Sequence, residues 1–216
     1  MKKIALLVAL AFSTMIFAQE KLKEGKITMK QTMSTDNEQV QAQFDIMGQM
    51  ESVTFFKDKS SRSEMSNSMT GDIVTIIDVE KNAMLMLMDS PELGKMYVLE
   101  KNFIKKEDQD QIKLEKLDKT KMVLGYECTL YKATIDKNGS KVEMEMYTTE
   151  AIDIPSQQTS AFGDKIKGFP LYMVIKMNQM GAEVSVVSEV TKIDKEEVSS
   201  DLFSLNPPEG YKNMKE

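Results

Sequence analysis

The sequence has no histidine and no tryptophan, and among its 216 residues it has one cysteine and one arginine. The lack of histidine removes the usual general base, the usual metal ligand and the usual pH switch near neutrality. Catalysis by serine–histidine–aspartate or cysteine–histidine groups is therefore excluded. Because Cys128 is alone, no intramolecular disulfide can form, and we expect a buried, inert thiol.

The first residues have the pattern of a secretory signal peptide. Lys2 and Lys3 precede an apolar run that ends at Ala18, and charged residues follow directly. The run is too short, and too close to the start of the chain, for a spanning helix. We expect residues 1–18 to be a cleaved signal peptide and residues 19–216 to form a single domain in the periplasm or outside the cell. No cysteine follows the expected cleavage site, so we expect no lipid anchor.

The charge balance argues against a nucleic-acid partner. The chain has 28 lysines and arginines against 34 aspartates and glutamates. Without Lys2 and Lys3 of the leader, 26 basic residues face 34 acidic ones, a net charge of about −8. A nucleic-acid partner would need a basic face, so we expect none. No motif in the sequence indicates a cofactor or a metal site.

Apolar and polar residues alternate along most of the chain, which is the pattern of half-buried strands. Residues 72–89 predict a hairpin around a polar turn, and residues 171–193 predict another. A third hairpin, over residues 126–150, contains Asn138-Gly139, a strong turn signal. In total the pattern predicts about ten short strands in an antiparallel meander.

Residues 40–47 show this alternation, with Val40, Ala42, Phe44 and Ile46 on one face, and predict one of these half-buried strands. Two other segments carry weaker signals. Residues 102–110 are charged and poor in β-forming residues, which predicts a helix or a long loop. Residues 155–163 begin with a proline and have weak helical character, so a short helix is expected there.

One predicted strand is apolar on both faces. Met84, Met86 and Met88 would share one face of it, and the two intervening leucines would share the other. Methionine clusters by face on other strands as well, and methionine side chains adapt to irregular apolar ligands. The candidate ligand-binding residues are therefore Met84, Met86, Met88, Met144, Met146, Met173, Ile175 and Met177. A shift of one residue in register would exchange each set for its opposite face.

The sequence leaves several functions open. The leading hypothesis is an exported, non-catalytic protein that binds a lipid or acyl chain in a methionine-rich cavity. The methionines also suit plain core packing, which would leave a structural or protein-interaction module of the cell envelope. A weaker alternative is a Cu(I)-handling protein, since thioethers are soft ligands. Glu143 and Glu145 alternate on one strand and are expected to form a solvated face, not an acid–base pair. We therefore expect no enzyme.

Residues 60–97 contain a strand with an arginine, a gap, and a strand–polar turn–strand hairpin that ends near Asp-Ser-Pro. In this order of elements the chain resembles the LolA-like periplasmic carriers, and residues 124–135, 168–177 and 201–214 resemble a branch of secreted bacterial proteins with that fold. The resemblance implies a mainly β (α+β) fold, a curved antiparallel sheet forming an incomplete LolA-like β-barrel with one to three short helices as a lid.

The same resemblance implies an apolar cavity that binds lipid or acyl chains. It also implies a role for Arg62, because an arginine on an early strand of the family helps to hold the helical lid closed. From the sequence alone, without the resemblance, we expect Arg62 to be a surface arginine paired with a carboxylate.

Overall fold

A computed structural model describes residues 21–67, 71–104, 112–137, 140–160, 162–179 and 181–215. The predicted signal peptide, most of the predicted helix or loop at 102–110, and the predicted turn at Asn138-Gly139 lie outside the described residues.

The described residues form twelve strands and two α-helices. The strands are β1 (Glu24–Thr35), β2 (Met50–Lys57), β3 (Ser60–Asn67), β4 (Gly71–Asp78), β5 (Ala83–Ser90), β6 (Gly94–Lys101), β7 (Ile112–Val123), β8 (Tyr126–Lys137), β9 (Ser140–Thr149), β10 (Phe169–Gln179), β11 (Ala182–Asp194) and β12 (Lys212–Asn213). The helices are α1 (Glu38–Met47) and α2 (Gln157–Ser160), and short 3₁₀ turns span Gly163–Lys165 and Ser200–Phe203.

All twelve strands belong to one sheet, in the order β12-β6-β5-β4-β3-β2-β1-β11-β10-β9-β8-β7. Neighbours are antiparallel except β12, which runs parallel to β6. The two ends of the sheet, β12 and β7, do not pair with each other, so the curved sheet stays unclosed. The expectation of a mainly β fold with an incomplete antiparallel barrel and short helices is confirmed.

The predicted hairpins are confirmed as strand pairs. β4 and β5 pair over Asp72–Asp78 and Ala83–Asp89, and the turn between them ends at Asn82 with a φ of 44°. β8 pairs with β9, and β10 pairs with β11. Asparagine tolerates the left-handed conformation better than most residues, which suits this turn.

The prediction of a strand at residues 40–47 is wrong, because these residues form α1. The Asn37 side chain accepts hydrogen bonds from the backbone N–H groups of Gln39 and Val40, and so caps the helix. The buried residues are Val40 and Phe44, which are four positions apart, as on one helix face. Ile46, which the alternating pattern assigned to the buried side, is 73% exposed.

Three strands were missed by the pattern of alternation: β3, β7 and the two-residue β12. β3 has few apolar residues, and β7 is a charged edge strand whose side chains are mostly exposed. β7 is held by its pairing with β8, with an irregularity between Lys116 and Thr120. An edge strand rich in lysine resists pairing with other chains, which accounts for its unusual composition. The short helix expected near residues 155–163 is confirmed as α2 and the following 3₁₀ turn.

Different segments cover the two faces of the sheet. Helix α1 packs on one face, together with the connection from β9 to β10, which we define as residues 150–160 and 162–168. The C-terminal strap, which we define as residues 195–211, packs on the opposite face through Val198 and Phe203. There it covers Ile76 and Leu85.

A carboxylate joins the strap to the first two strands. Glu24 Oε1 accepts hydrogen bonds from Lys57 Nζ at 2.8 Å and from the backbone N–H of Val198 at 2.7 Å. Lys57 Nζ also donates to the Val198 carbonyl at 3.2 Å. The hydrogen bond from Lys57, followed by that from Val198, lowers the pKa of Glu24 below its ordinary value of 4.5.

Replacing Glu24 by Gln is expected to lower the melting temperature at neutral pH, because the charge-assisted bonds to the strap are lost. Since the pKa of Glu24 is lowered by folding, this contribution is complete above pH 4.5 and disappears as the pH falls through the folded-state pKa. The difference in melting temperature between wild type and Glu24→Gln should therefore shrink in acid. Glu51→Gln on β2 is the control. A difference that does not depend on pH would contradict the assignment.

Candidate functional site

The strand register brings all eight candidate ligand-binding residues to one face of the sheet. Residues that pair directly across antiparallel strands project from the same face, as do residues two or four apart on one strand. The pairs can be followed from β5 to β1 through Met88, Ile73, Met65, Ser52 and Met29. From Met33, further along β1, they continue through Val186 and Ile175 to Met144. We call this side of the sheet the methionine face.

One part of the methionine face is a filled core. Met146 pairs with Met173 across β9 and β10, and Met144 lies beside them. All three are buried against Phe162 and Ile166 of the β9–β10 connection. The structure gives these methionines a packing role.

Helix α1 covers the neighbouring part of the same face. Val40 and Phe44 of the helix belong to a cluster with Val184, against which Ile175 and Met177 pack. Five of the eight candidate residues thus lie under the β9–β10 connection or α1: Met144, Met146, Met173, Ile175 and Met177.

The other three candidates lie where the face is more accessible. Met84, Met86 and Met88 are half-buried, and Met96 and Val98 on β6 pair directly with Met88 and Met86. A continuous apolar row crosses four strands, and its members are Met65, Ile73, Met88 and Met96. We define the methionine patch as the half-buried residues Met65, Ile73, Met84, Met86, Met88, Met96 and Val98.

Four members of the patch were missed by sequence reasoning. Met65 and Ile73 lie on β3 and β4, and Met96 and Val98 lie on β6. The alternation of Ile73, Met96 and Val98 within their strands was visible, whereas Met65 lies on a strand that alternation missed. Joining all four to β5 requires the order of the strands in the sheet, which alternation along one strand does not give.

The packing on the opposite side of β5 explains why this strand is apolar on both faces. Leu85 and Leu87 are buried beneath the C-terminal strap, in one cluster with Val198 and Phe203. The leucines therefore belong to the core, and the methionines of the same strand form the accessible patch.

Arg62 lies on the opposite face, where it pairs with Phe55 and Ile76 of the neighbouring strands. Its Nε donates to Glu64 Oε1 at 2.6 Å, and its Nη1 contacts the Leu202 carbonyl of the strap at 3.5 Å. The expectation of an arginine paired with a carboxylate is confirmed. The described helices α1 and α2 lie on the side of the methionine face, so Arg62 does not face them. If Arg62 holds a covering segment in place, that segment is the strap.

The remaining reactive groups are arranged as the sequence predicted. Glu143 and Glu145 are about half exposed and form ion pairs with Lys141 and Lys132. Among the described residues there is no group of three or more histidines, cysteines, aspartates or glutamates that could hold a metal ion. No helix in the described part of the chain combines the length and apolar character needed to cross a membrane.

Cys128 is completely buried, and burial raises the pKa of its thiol to about 11. We expect native protein to resist a thiol reagent such as dithionitrobenzoate at about pH 8, where the buried thiol stays protonated. One equivalent should react after unfolding in guanidinium chloride. Fast labelling of the native protein would contradict this assignment.

Comparison with known proteins gives a family and two partial structural likenesses. Residues 23–157 match the family described as "Domain of unknown function (DUF4412)". A solved structure of PNGF-II is similar with a TM-score of 0.47 and 15% identity over 88% of this chain. The chain spans about a third of PNGF-II, 31% of its length.

The lipoprotein LppX of Mycobacterium tuberculosis is similar with a TM-score of 0.33 and 8% identity, over 82% of this chain and 89% of LppX. Among curated proteins, none matches the chain.

Proposed function

We propose that this chain, which belongs to the DUF4412 family of domains of unknown function, is an exported, non-catalytic protein that binds a lipid or acyl chain on its methionine patch. The observation that carries the proposal is the row Met65, Ile73, Met88 and Met96, which stays half-buried although it is continuous with the core of the sheet. An acyl chain on the patch would remove this apolar surface from water, which is favourable.

The dimensions and chemistry of the patch suit an extended apolar chain. Neighbouring strands lie about 4.8 Å apart, so a row across four strands spans roughly 14 Å. Methionine side chains are unbranched and flexible, and they can adjust to ligands of different shape. A wall of branched aliphatic residues would be more restrictive.

The chemistry of the described residues supports a binding role over a catalytic one. The chain has no histidine, and the single thiol is buried with a pKa raised to about 11. Glu143 and Glu145 are solvent-exposed and ion-paired, so they are not poised as an acid–base pair. Export is proposed from the leader pattern of residues 1–18.

The test is mass spectrometry of an organic extract of the natively purified protein, expressed with its leader. We expect a lipid at near-stoichiometric amount in the wild type. The triple variant Met84→Gln, Met86→Gln, Met88→Gln should carry less lipid than the wild type, by about tenfold or more. Three apolar contacts are replaced by polar amides in this variant. Met122→Gln is the matched control, since Met122 is 63% exposed on β7. Wild-type protein without lipid, or a triple variant that keeps it, would refute the proposal.

A second candidate function is Cu(I) binding. Met88 and Met96 are direct cross-strand partners, and Met86 lies two residues away on the same face. Thioether sulfurs are soft ligands that suit Cu(I). We would favour Cu(I) binding over lipid binding if lipid-free protein takes up one equivalent of Cu(I). The variant in which Met86, Met88 and Met96 are replaced by leucine should then lose this capacity.

A further inference from the structure

A small cavity lies between the methionine face and the β9–β10 connection, with a volume of about 30 Å³. Six of the ten described residues that line it carry hydroxyl groups: Ser52, Thr54, Ser61, Ser63, Thr75 and Ser156. The other four are Met29, Ile77, Pro155 and Phe169. None of these lining residues is charged. We call this space the hydroxyl cavity.

Two residues of the cavity, Ser61 and Thr75, are largely buried and have hydroxyl groups without a partner in the part of the protein that the structure describes. Ser61 is 3% exposed and Thr75 is 5% exposed. Within the described part of the chain, neither side chain makes a hydrogen bond, whereas Thr54 Oγ1 donates to Ser63 Oγ at 3.2 Å. Among the described residues, Thr148 Oγ1 is the one fully enclosed side-chain oxygen without a partner, so the oxygens of Ser61 and Thr75 remain accessible. Both hydroxyl groups can therefore donate to, or accept from, an occupant of the cavity.

The volume limits what this occupant can be. A cavity needs about 10–15 Å³ to hold one water molecule. The hydroxyl cavity therefore has room for one or two waters, or for a polar group of a few atoms. It is too small for an acyl chain, so a lipid could place only its polar end there.

The hydroxyl cavity adjoins the methionine patch on the same face. Thr75 pairs directly with Met86 across β4 and β5, and with Ser63 across β3 and β4. The strand register thus gives a row that begins with hydroxyl groups and ends with apolar ones: Thr54, Ser63, Thr75, Met86 and Val98. A polar end in the cavity and an apolar chain on the patch would be about one strand spacing apart, roughly 4.8 Å.

We infer that the hydroxyl cavity receives the neutral polar head of a single-chain acyl ester or alcohol whose chain lies on the methionine patch, an inference that rests on the proposed function. Serine and threonine hydroxyls donate to a carbonyl oxygen and accept from an alcohol. Since none of the described residues that line the cavity is a lysine or an arginine, a carboxylate head would be buried without a countercharge from them. Neutral heads are therefore selected over anionic ones.

The test compares two probes that share a chain length, 1-decanoylglycerol and decanoate. The full mature chain, freed of lipid, is titrated calorimetrically with each probe at about pH 8, where decanoate is ionised. We expect 1-decanoylglycerol to bind at least about tenfold more tightly than decanoate, because only decanoate brings an uncompensated charge into the cavity.

Variants locate the head group. Ser61→Ala with Thr75→Val should weaken 1-decanoylglycerol binding by roughly tenfold or more while leaving decanoate binding unchanged, since two hydroxyl partners are removed. Thr75→Ser retains the hydroxyl and should retain binding. Thr120→Val, on the exposed edge strand β7, is the matched control. The melting temperature of the double variant should not fall, because it loses only unpaired hydroxyls.

The outcomes separate this inference from the proposed function. If both probes bind equally, and Met86→Gln weakens both while the double variant changes neither, the patch binds chains and the cavity holds only water. This inference then fails and the proposed function stands. If neither probe binds the lipid-free wild type, both fail.

Discussion

Every strand in a single sheet has two rows of side chains, and both rows must find cover or remain in contact with water. In this chain the cover comes from segments far apart in sequence. The C-terminal strap buries Leu85 and Leu87 on one side, while α1 and the β9–β10 connection bury part of the methionine face. The rest of the architecture, including where the sheet remains accessible, follows from how far these segments reach.

The methionine face is therefore divided into two parts with different roles. Where the β9–β10 connection packs, Met146 and Met173 are ordinary core residues. Toward the β6 side, Met86 and Met88 are half-buried, and Met86 pairs directly with Thr75 of the hydroxyl cavity. Methionine suits both parts, because a flexible thioether side chain fills gaps in a core and also adapts to a variable ligand. Composition alone could not separate them.

The strap depends on few polar contacts. Glu24 and Lys57 hold its beginning at Val198, and Arg62 contacts its 3₁₀ turn at the Leu202 carbonyl. These groups are only partly buried, so the apolar cluster beneath the strap supplies the larger share of its attachment. The single arginine of the chain thus contacts the segment that covers the face opposite the methionine patch.

The sequence by itself determined the strand alternation, the hairpins, the buried inert thiol and the lack of histidine-based chemistry, because these depend on residue type and short-range spacing. The alternating pattern wrongly predicted a strand at residues 40–47. The cap at Asn37 and the packing of Phe44 stabilise a helix there. Only the tertiary structure decided which methionines are covered and that Thr75 adjoins Met86. Those facts arise from the order of the strands in the sheet and from the long-range packing of the connection and the strap, which alternation along one strand does not encode.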